Sequence, residues 1–310
     1  MNAVLAPSEC DDGFPEPRAF QIDAHQQLRQ GFRDGHKNQL IMAPTGAGKT
    51  YLGLRICNEA MQKGKKAVFL CDRTTLINQT SEVASAYGLD DHGVIQANHW
   101  KRRPDKLLQI ASVQTIAKRA YWPAMDVLVI DEAHTMYKPW VEYAQSTGAA
   151  VIGLSATPFS TGLGKVFSNL INATTMHELT QSGVLVPMRI FSCTKPDMAG
   201  AATAGGEWTD KAAEERGMAI VGDVVTEWLR FAENRKTIVF GATIRHCEEL
   251  AQQFINQGVM AAVFTSETTA KERQLLLDEY RKHDSHLKIL ISVEALAKGF
   301  DVPDVGCVCD

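Results

Sequence analysis

Short apolar runs alternate with longer amphipathic segments along most of this 310-residue chain. The apolar runs, rich in Val, Ile and Leu, predict strands at 38–43, 66–71, 107–112, 126–131, 150–155, 185–191, 236–241, 259–264 and 287–292. The amphipathic segments predict helices at 20–33, 50–63, 74–87, 114–119, 139–146, 210–232, 243–257 and 269–282. Apolar strands joined by helices are typical of a parallel sheet that is covered on both faces. The pattern therefore predicts an α/β fold.

One segment interrupts this alternation. Residues 193–209 are rich in Ala, Gly and Pro, which favours a surface loop or linker near the junction of two units. A chain of this length is also expected to form two domains of about 150 residues each. We predict a flexible N-terminus at 1–17, a first domain at 18–188 and a second domain at 189–310.

The composition is that of an ordinary globular protein, with 45% hydrophobic and 22% charged residues. No apolar run reaches the roughly 18–20 residues that span a bilayer, and the N-terminus does not resemble a secretory signal. The seven cysteines show no metal-ligand spacing, which indicates a reduced, cytoplasmic protein without structural zinc. The net charge of −4 argues against non-specific coating of nucleic acid but is compatible with a local basic groove.

A glycine-rich stretch lies between the first predicted strand and the helix that follows it. Its sequence is Ala43-Pro44-Thr45-Gly46-Ala47-Gly48-Lys49-Thr50. Gly46 and Gly48 allow the backbone N–H groups to surround a polyphosphate, and the helix N-terminus favours negative charge. Lys49 can reach the β- and γ-phosphates, and the Thr50 hydroxyl can bind Mg²⁺. The residues expected to contact the nucleotide here are Thr45, Gly46, Ala47, Gly48, Lys49 and Thr50.

Two carboxylates, Asp131 and Glu132, follow the buried-strand pattern at 126–131. In that position Asp131 would bind Mg²⁺ and Glu132 would polarise the attacking water. Each motif alone has a simpler interpretation: the first as a glycine-rich loop without a ligand, the second as a solvated strand end. The glycine-rich stretch also departs from the strict phosphate-loop pattern, which has Gly where Ala43 stands. Together, in this order and each at a strand end, the two motifs predict that the chain binds and hydrolyses a nucleoside triphosphate.

The full order of motifs resembles the core of a superfamily 2 helicase. It runs through Gln21, the glycine-rich stretch, Asp131-Glu132-Ala133-His134, Ser155-Ala156-Thr157 and Gly299-Phe300-Asp301-Val302-Pro303. Within that superfamily it is most similar to the DEAH-type DNA helicases that include XPB-like proteins and restriction-enzyme motor subunits. Residues 70–79, 153–159 and 298–303 carry this finer similarity. The resemblance implies two tandem RecA-like domains, ATP and Mg²⁺ as ligands, and DNA rather than RNA as the favoured partner.

The resemblance also implies roles for individual residues. Gln21 would read the adenine edge, with Arg18 or Phe20 near the base, although a helix-capping glutamine is the alternative. Gly299 and Asp301 would approach the ribose and the γ-phosphate across the cleft between the domains. The residues that would couple the nucleotide to domain closure are His134, Ser155, Ala156 and Thr157. The residues that would face the nucleic-acid backbone are Arg73, Gln114, Thr115, Thr243 and Thr265.

Residues 99–103 place His and Trp beside three cations. Such a run could stack on a base and bind phosphate. The interpretation that we favour from sequence is a solvated basic loop with one anchoring Trp100. Trp208 and Trp228 are expected to be core or linker anchors rather than stacking residues.

The arginine motif that ends such helicase cores is not found among these residues, and the chain ends inside a strand that begins near Val305. We therefore expect a truncated second domain that turns ATP over slowly or not at all, because the arginine is worth about 10³–10⁵ in rate in related phosphoryl transfer. A monomer is the favoured oligomeric state. Two functions remain open. The chain is either part of an ATP-driven motor that separates duplex DNA, or a nucleotide-gated module that grips nucleic acid without unwinding it.

Overall fold

The computed structural model describes residues 13–72, 74–191, 197–204, 207–209, 221–265, 267–293, 302 and 304–309. The chain divides into two compact units, Met1–Met188 and Arg189–Asp310. In the first unit the helices are α1 Ala19–Arg33, α2 Lys49–Gln62, α3 Thr74–Ala86, α4 Val113–Arg119, α5 Lys138–Ser146 and α6 Met176–Gln181. Its strands are β1 Asn38–Met42, β2 Ala67–Cys71, β3 Gly93–Ile95, β4 Leu108–Ser112, β5 Val127–Ile130, β6 Ala150–Ser155 and β7 Asn169–Asn172.

These seven strands form one sheet in the order β3-β4-β2-β5-β6-β1-β7, and every neighbouring pair is parallel. Side chains of one strand alternate between two cores because successive residues point to opposite faces. In β2, Phe69 belongs to one core and Leu70 to the other, and both are almost fully buried. The predicted parallel sheet with helices on both faces is thus confirmed for this unit.

The second unit has the same layout on a smaller scale. Its elements are β8 Thr203–Ala204, β9 Glu207–Trp208, α7 Val221–Phe231, β10 Lys236–Phe240, α8 Ile244–Asn256, β11 Ala261–Val263, α9 Ala270–Arg281, β12 Ile289–Ser292 and β13 Val305–Cys309. Four of the strands form a parallel sheet in the order β11-β12-β10-β13, while β8 and β9 pair antiparallel. Trp228 is buried in this core, as predicted, and its indole N–H donates to Thr237 Oγ1 at 2.7 Å.

The predicted strand at 185–191 is wrong. The segment pairs with no strand of the described residues, and its apolar side chains Val186, Met188 and Ile190 are 85%, 78% and 80% exposed. Alternating apolar residues form a strand only where a neighbouring strand is available for backbone hydrogen bonds. Pro187 has no N–H to donate, which further disfavours strand pairing here. Of the predicted helix 210–232, α7 is observed and residues 210–220 lie outside the described residues.

The elements missed by sequence analysis are short or polar. β3 has three residues, and β7 has the sequence Asn-Leu-Ile-Asn with only Ile171 buried. The six-residue α6 begins with a capping box between Thr175 and Glu178. No helix of the described residues is long and apolar enough to cross a membrane. Cys57 and Cys71 are buried thiols, as expected from their apolar surroundings.

We expect Phe69→Ala to destabilise the first unit by about 3–5 kcal/mol, because the ring is fully buried and its removal leaves a cavity. The matched control is Phe159→Ala, since Phe159 is 82% exposed and its loss should change stability by no more than about 0.5 kcal/mol. Hydrogen exchange of β2 and β5 peptides in increasing urea measures both effects. Equal protection in the two variants would contradict the burial of Phe69.

Candidate nucleotide-binding site

The parallel register gathers the carboxyl-terminal ends of five strands at one edge of the first sheet. Met42 pairs with Ser155 and Cys71 pairs with Ser112, each at the last residue of its strand. Ile130 pairs with Gly153 in the centre of the sheet. Residues that directly follow these strand ends are therefore neighbours in space. This edge is where open parallel sheets bind their ligands.

The glycine-rich stretch occupies the turn between β1 and α2. Gly46 and Gly48 have φ of +85° and +82°, which side chains rarely adopt. A Cβ on Gly46 would lie 2.7 Å from Leu185, and a Cβ on Gly48 would lie 2.9 Å from the Gln21 amide. Ala43 does not have a positive φ, and its N–H continues the ladder to Ser155 O at 2.9 Å. A glycine is therefore not required at position 43 for this turn.

A chain of polar contacts joins the glycine-rich stretch to the ends of β5 and β6. Lys49 Nζ lies 3.5 Å from Glu132 Oε1, and Glu132 Oε2 lies 3.2 Å from His134 Nδ1. The same His134 nitrogen is 3.2 Å from Ser155 Oγ, which accepts the Thr157 N–H at 3.1 Å. Four of the residues predicted from sequence thus form one continuous network with Lys49. Ala156 lies within the same turn, half-buried.

Glu132 occupies a strained backbone position. Its φ is +49°, in a region that costs a non-glycine residue on the order of 1–3 kcal/mol. The turn is held by the Glu132 N–H, which donates to Asp131 Oδ1 at 3.0 Å, and by the Thr135 N–H, which donates to Glu132 O at 2.9 Å. This conformation directs the Glu132 carboxylate between Lys49 and His134.

Asp131 lies deeper than its neighbour and is only 9% exposed. Burial, reinforced by the nearby Glu132 carboxylate, raises its pKa to about 6. Asp72 is another buried carboxylate at this edge, and its Oδ1 has no hydrogen-bond partner among the described residues. Its charge adds to the rise in the Asp131 pKa. Sequence analysis missed Asp72, although it follows β2 directly, as Asp131 follows β5.

The donor types at this edge fit Mg²⁺. Thr50 offers a hydroxyl and Asp131 a carboxylate, and Mg²⁺ in nucleotide sites uses one or two such protein ligands together with phosphates and waters. Thr50 is half-buried in the first turn of α2. These two residues would hold the ion against the phosphates.

Gln21 connects α1 to the glycine-rich stretch. It is 4% exposed, and its Nε2 donates to Ala47 O at 3.0 Å. Its Oε1 accepts the Arg18 N–H at 2.9 Å, which caps α1. The capping role considered from sequence is therefore present, and the adenine-reading role stays a prediction. The Arg18 guanidinium is 3.4 Å from Gly46 O, beside the same turn.

The residues predicted to face nucleic acid are described in part. Gln114 is exposed near the start of α4, where its amide donates to Asp72 O, and the Thr115 N–H donates to the capping hydroxyl of Ser112 at 3.2 Å. In the second unit, the Thr243 hydroxyl caps α8 by accepting the His246 N–H at 3.2 Å. Thr265 is buried, and its hydroxyl accepts the Glu267 N–H at 3.3 Å. Their contacts with nucleic acid stay predictions.

Three residues with predicted roles lie outside the described residues. They are Arg73, Gly299 and Asp301.

The favoured interpretation of the loop at residues 99–103 is wrong in one respect. Trp100 does not anchor the loop, because its side chain is 78% exposed. Lys101 is the buried residue, at 8% exposure, and its Nζ donates to Ser85 Oγ at 2.9 Å. Sequence alone favours the opposite arrangement because a Trp is buried far more often than a Lys.

Comparison with known families agrees with this arrangement of motifs. Residues 14–160 match the family described as type III restriction enzyme, res subunit, and residues 221–310 match the helicase conserved C-terminal domain. The chain is 25% identical over 274 residues to a 51.5 kDa protein of a Lactococcus phage (isolate 7-9), covering 86% of this chain and 57% of that protein. It is 26% identical to the type I restriction enzyme EcoAI endonuclease subunit of Escherichia coli, covering 82% and 36% respectively.

A solved structure shows a similar fold. It is a fragment assigned to the HsdR subunit of a type I restriction enzyme from Vibrio vulnificus YJ016, with a TM-score of 0.70 and 21% identity. The similarity covers 96% of this chain and 59% of that one. The chain spans about half the length, or less, of the curated relatives it matches.

We expect the stability of the ligand-free first unit to fall as pH rises from about 4 to about 6. The pKa of Asp131 is raised in the folded state, so the folded chain binds more protons than the unfolded chain in this window. Asp131→Asn removes this effect and should be more stable than the wild type by about 1–3 kcal/mol at pH 8, with little difference at pH 4. Hydrogen exchange of the β5 peptide in urea, without Mg²⁺ or nucleotide, measures the difference.

Asp126→Asn is the control, because the pKa of Asp126 is lowered in the folded state and its substitution should change stability in the opposite direction. The Asp126 carboxylate accepts the Lys66 N–H and lies 3.1 Å from Lys65 Nζ, and these partners hold its pKa below the usual value. That variant should lose stability at neutral pH. A stability profile of Asp131→Asn that matches the wild type at every pH would contradict the elevated pKa.

Proposed function

We propose that the chain is the ATP-hydrolysing core of a nucleic-acid translocase of helicase superfamily 2, in the group of the restriction-enzyme motors. The observation that carries this proposal is the continuous network from Lys49 through Glu132 and His134 to Ser155. It connects the glycine-rich turn, the water-polarising carboxylate and the turn after β6 within a few ångströms. A loop that only bound phosphate would require neither the Glu132 carboxylate nor the turn after β6.

Nucleotide binding uses the start of α2. The N–H groups of residues 46–50 and the helix N-terminus face the phosphates, and Lys49 supplies the positive charge. Lys49 Nζ lies 3.5 Å from Glu132 Oε1, so a γ-phosphate would compete with that carboxylate for the ammonium. Thr50 and Asp131 would then hold Mg²⁺ between the phosphates and the sheet. Below about pH 6 this binding should weaken, because protonated Asp131 is a poor Mg²⁺ ligand.

Hydrolysis depends on Glu132. Once Lys49 turns to the phosphate, the Glu132 carboxylate is free to accept a hydrogen bond from water and to orient it for in-line attack. His134 holds the other carboxylate oxygen at 3.2 Å and so limits its rotation. Mg²⁺, when bound, neutralises charge that develops on the phosphate oxygens.

Coupling to movement would pass through His134. Its Nδ1 lies 3.2 Å from both Glu132 Oε2 and Ser155 Oγ. A movement of the Glu132 carboxylate would therefore shift His134 and, through it, the turn of residues 155–157. In the proposed cycle this turn biases closure of the two units on a nucleic-acid strand, with Gly299 and Asp301 completing the nucleotide site.

The proposed partner is nucleic acid, with DNA favoured because a matched relative is a type I restriction endonuclease subunit. The phosphate-facing candidates Gln114, Thr115 and Thr243 lie next to helix N-termini, where N–H groups suit backbone phosphates. A monomer in the cytoplasm is the state that we propose for the working chain.

We expect Glu132→Gln to lower ATP hydrolysis by about 10²–10⁴ while leaving ATP–Mg²⁺ binding nearly unchanged, because it removes the base but not the phosphate contacts. Lys49→Ala should instead abolish nucleotide binding. Steady-state hydrolysis and calorimetric binding, with and without single-stranded DNA, measure the two effects separately.

Lys138 and Glu142 provide a matched control. They form an exposed pair at 3.6 Å on α5, so Lys138→Ala and Glu142→Gln repeat the same chemical changes away from the site. Both controls should keep wild-type hydrolysis. Hydrolysis by Glu132→Gln at the wild-type rate would overturn the assigned role.

Separation of a tailed duplex decides between the two functions. A motor displaces the strand in an ATP-dependent manner. If hydrolysis responds to single-stranded DNA and the duplex stays intact, the chain is a nucleotide-gated binding module.

A further inference from the structure

The loop between β3 and β4 begins at the sheet edge where Gln114 and Thr115 lie. β3 pairs with β4 through Val94 with Ile110 and Ile95 with Ala111, one residue before the cap of α4 at Ser112. The Val94 N–H donates to Lys101 O at 2.9 Å, so the chain has already turned back beside β3 at that point. Residues 96–100 therefore project from the carboxyl-terminal edge.

This loop is attached to two helices. The Arg119 guanidinium, at the end of α4, donates to Ala97 O at 2.8 Å. On the other side, Lys101 Nζ donates to Ser85 of α3 and lies 3.4 Å from Nε2 of the buried His92. The His92 ring is itself held by Ser81 Oγ at 2.7 Å. The loop is thus attached to the fold through Ala97 O and the side chain of Lys101.

Trp100 is held in place although it is exposed. The ring of His99 stacks on it with centroids 5.9 Å apart and an interplanar angle of 25°. Lys101 Nζ lies 5.4 Å from the centre of the indole ring. The Lys101 N–H also donates to His99 Nδ1 at 3.1 Å, which links the two ring supports. A large aromatic surface is therefore presented to solvent in a restricted orientation.

The charges around Trp100 fit a polyanion. Residues 92–104 include three cations and no carboxylate. Arg102 is exposed, and Arg103 lies 3.8 Å from Asp91 at the far end of the loop. A supported aromatic beside exposed guanidinium groups is the arrangement that binds single-stranded nucleic acid by base stacking and phosphate contact.

We infer that Trp100 is a base-stacking residue that extends the nucleic-acid path of the first unit from the start of α4 to the β3–β4 loop. Arg102 contributes the accompanying phosphate contact. This inference rests on the proposed function, since it assigns a further contact to the same partner. Stacking does not depend on base identity or on the sugar, so both single-stranded DNA and single-stranded RNA would use this residue.

The test measures binding of the full chain to labelled oligothymidylate and oligouridylate by fluorescence anisotropy. Trp100→Ala should weaken binding of both strands roughly 5- to 100-fold, and Trp100→Phe should recover much of the loss because an aromatic face remains. Arg102→Ala should lower the slope of log Kd against log salt concentration by about one. Leu170→Ala is the control, because Leu170 is 55% exposed on β7 at the opposite end of the sheet.

An abasic oligonucleotide separates stacking from a purely structural role. It keeps the phosphates and removes the bases, so Trp100→Ala should bind it as well as the wild type does. If the variant loses equal affinity for the abasic strand, Trp100 does not stack on bases and the inference is overturned.

The remaining outcomes distinguish this inference from the proposed function. If the wild type binds oligothymidylate with stimulated ATP hydrolysis and Trp100→Ala does the same, the inference fails while the proposed function stands. A protein partner for the loop would be the alternative in that case. If the wild type binds neither strand and its hydrolysis does not respond to them, the inference and the proposed translocase function both fail.

Discussion

Parallel pairing of the central strands is the constraint on which the candidate site depends. Five strands run in one direction, and their carboxyl ends therefore meet at one edge of the sheet; they are β1, β2, β4, β5 and β6. The residues after β1 and β5 are more than 80 positions apart in sequence, yet Lys49 and Glu132 lie 3.5 Å apart. The buried aliphatic ladders on both faces hold this register, so the core sets the precision of the site.

The site contains groups that oppose stability. Glu132 has a positive φ, and Asp131 is a buried carboxyl group with a raised pKa. Asp72 has one buried oxygen with no hydrogen-bond partner in the described part of the chain. Each is costly for a folded protein, and each follows a strand at the carboxyl-terminal edge of the sheet. A cation between Asp131 and the phosphates would relieve part of this cost. The same features therefore make the site destabilising without ligand and receptive to one.

Gln21 and Lys101 show how single buried polar side chains organise the surrounding loops. Gln21 uses both ends of its amide, one to cap α1 and the other to hold Ala47 in the glycine-rich turn. Lys101 is buried against α3, where its Nζ donates to Ser85 Oγ, while the neighbouring Trp100 is exposed. In both cases the polar group satisfies its hydrogen bonds inside the protein. The exposed chemistry nearby is positioned as a consequence.

The sequence by itself determined the α/β class, most strands and helices, and the set of motifs at strand ends. It could do so because burial on both sheet faces demands continuous apolar runs, and because only glycine tolerates the backbone of the phosphate turn. Only the tertiary structure decided that residues 185–191 lack a partner strand, that Asp72 adds its charge to Asp131, and that Lys101 rather than Trp100 is buried. These outcomes depend on which neighbours each residue meets after folding. Local pattern does not carry that information, since strand pairing, desolvation and hydrogen bonding are properties of contacts between distant segments.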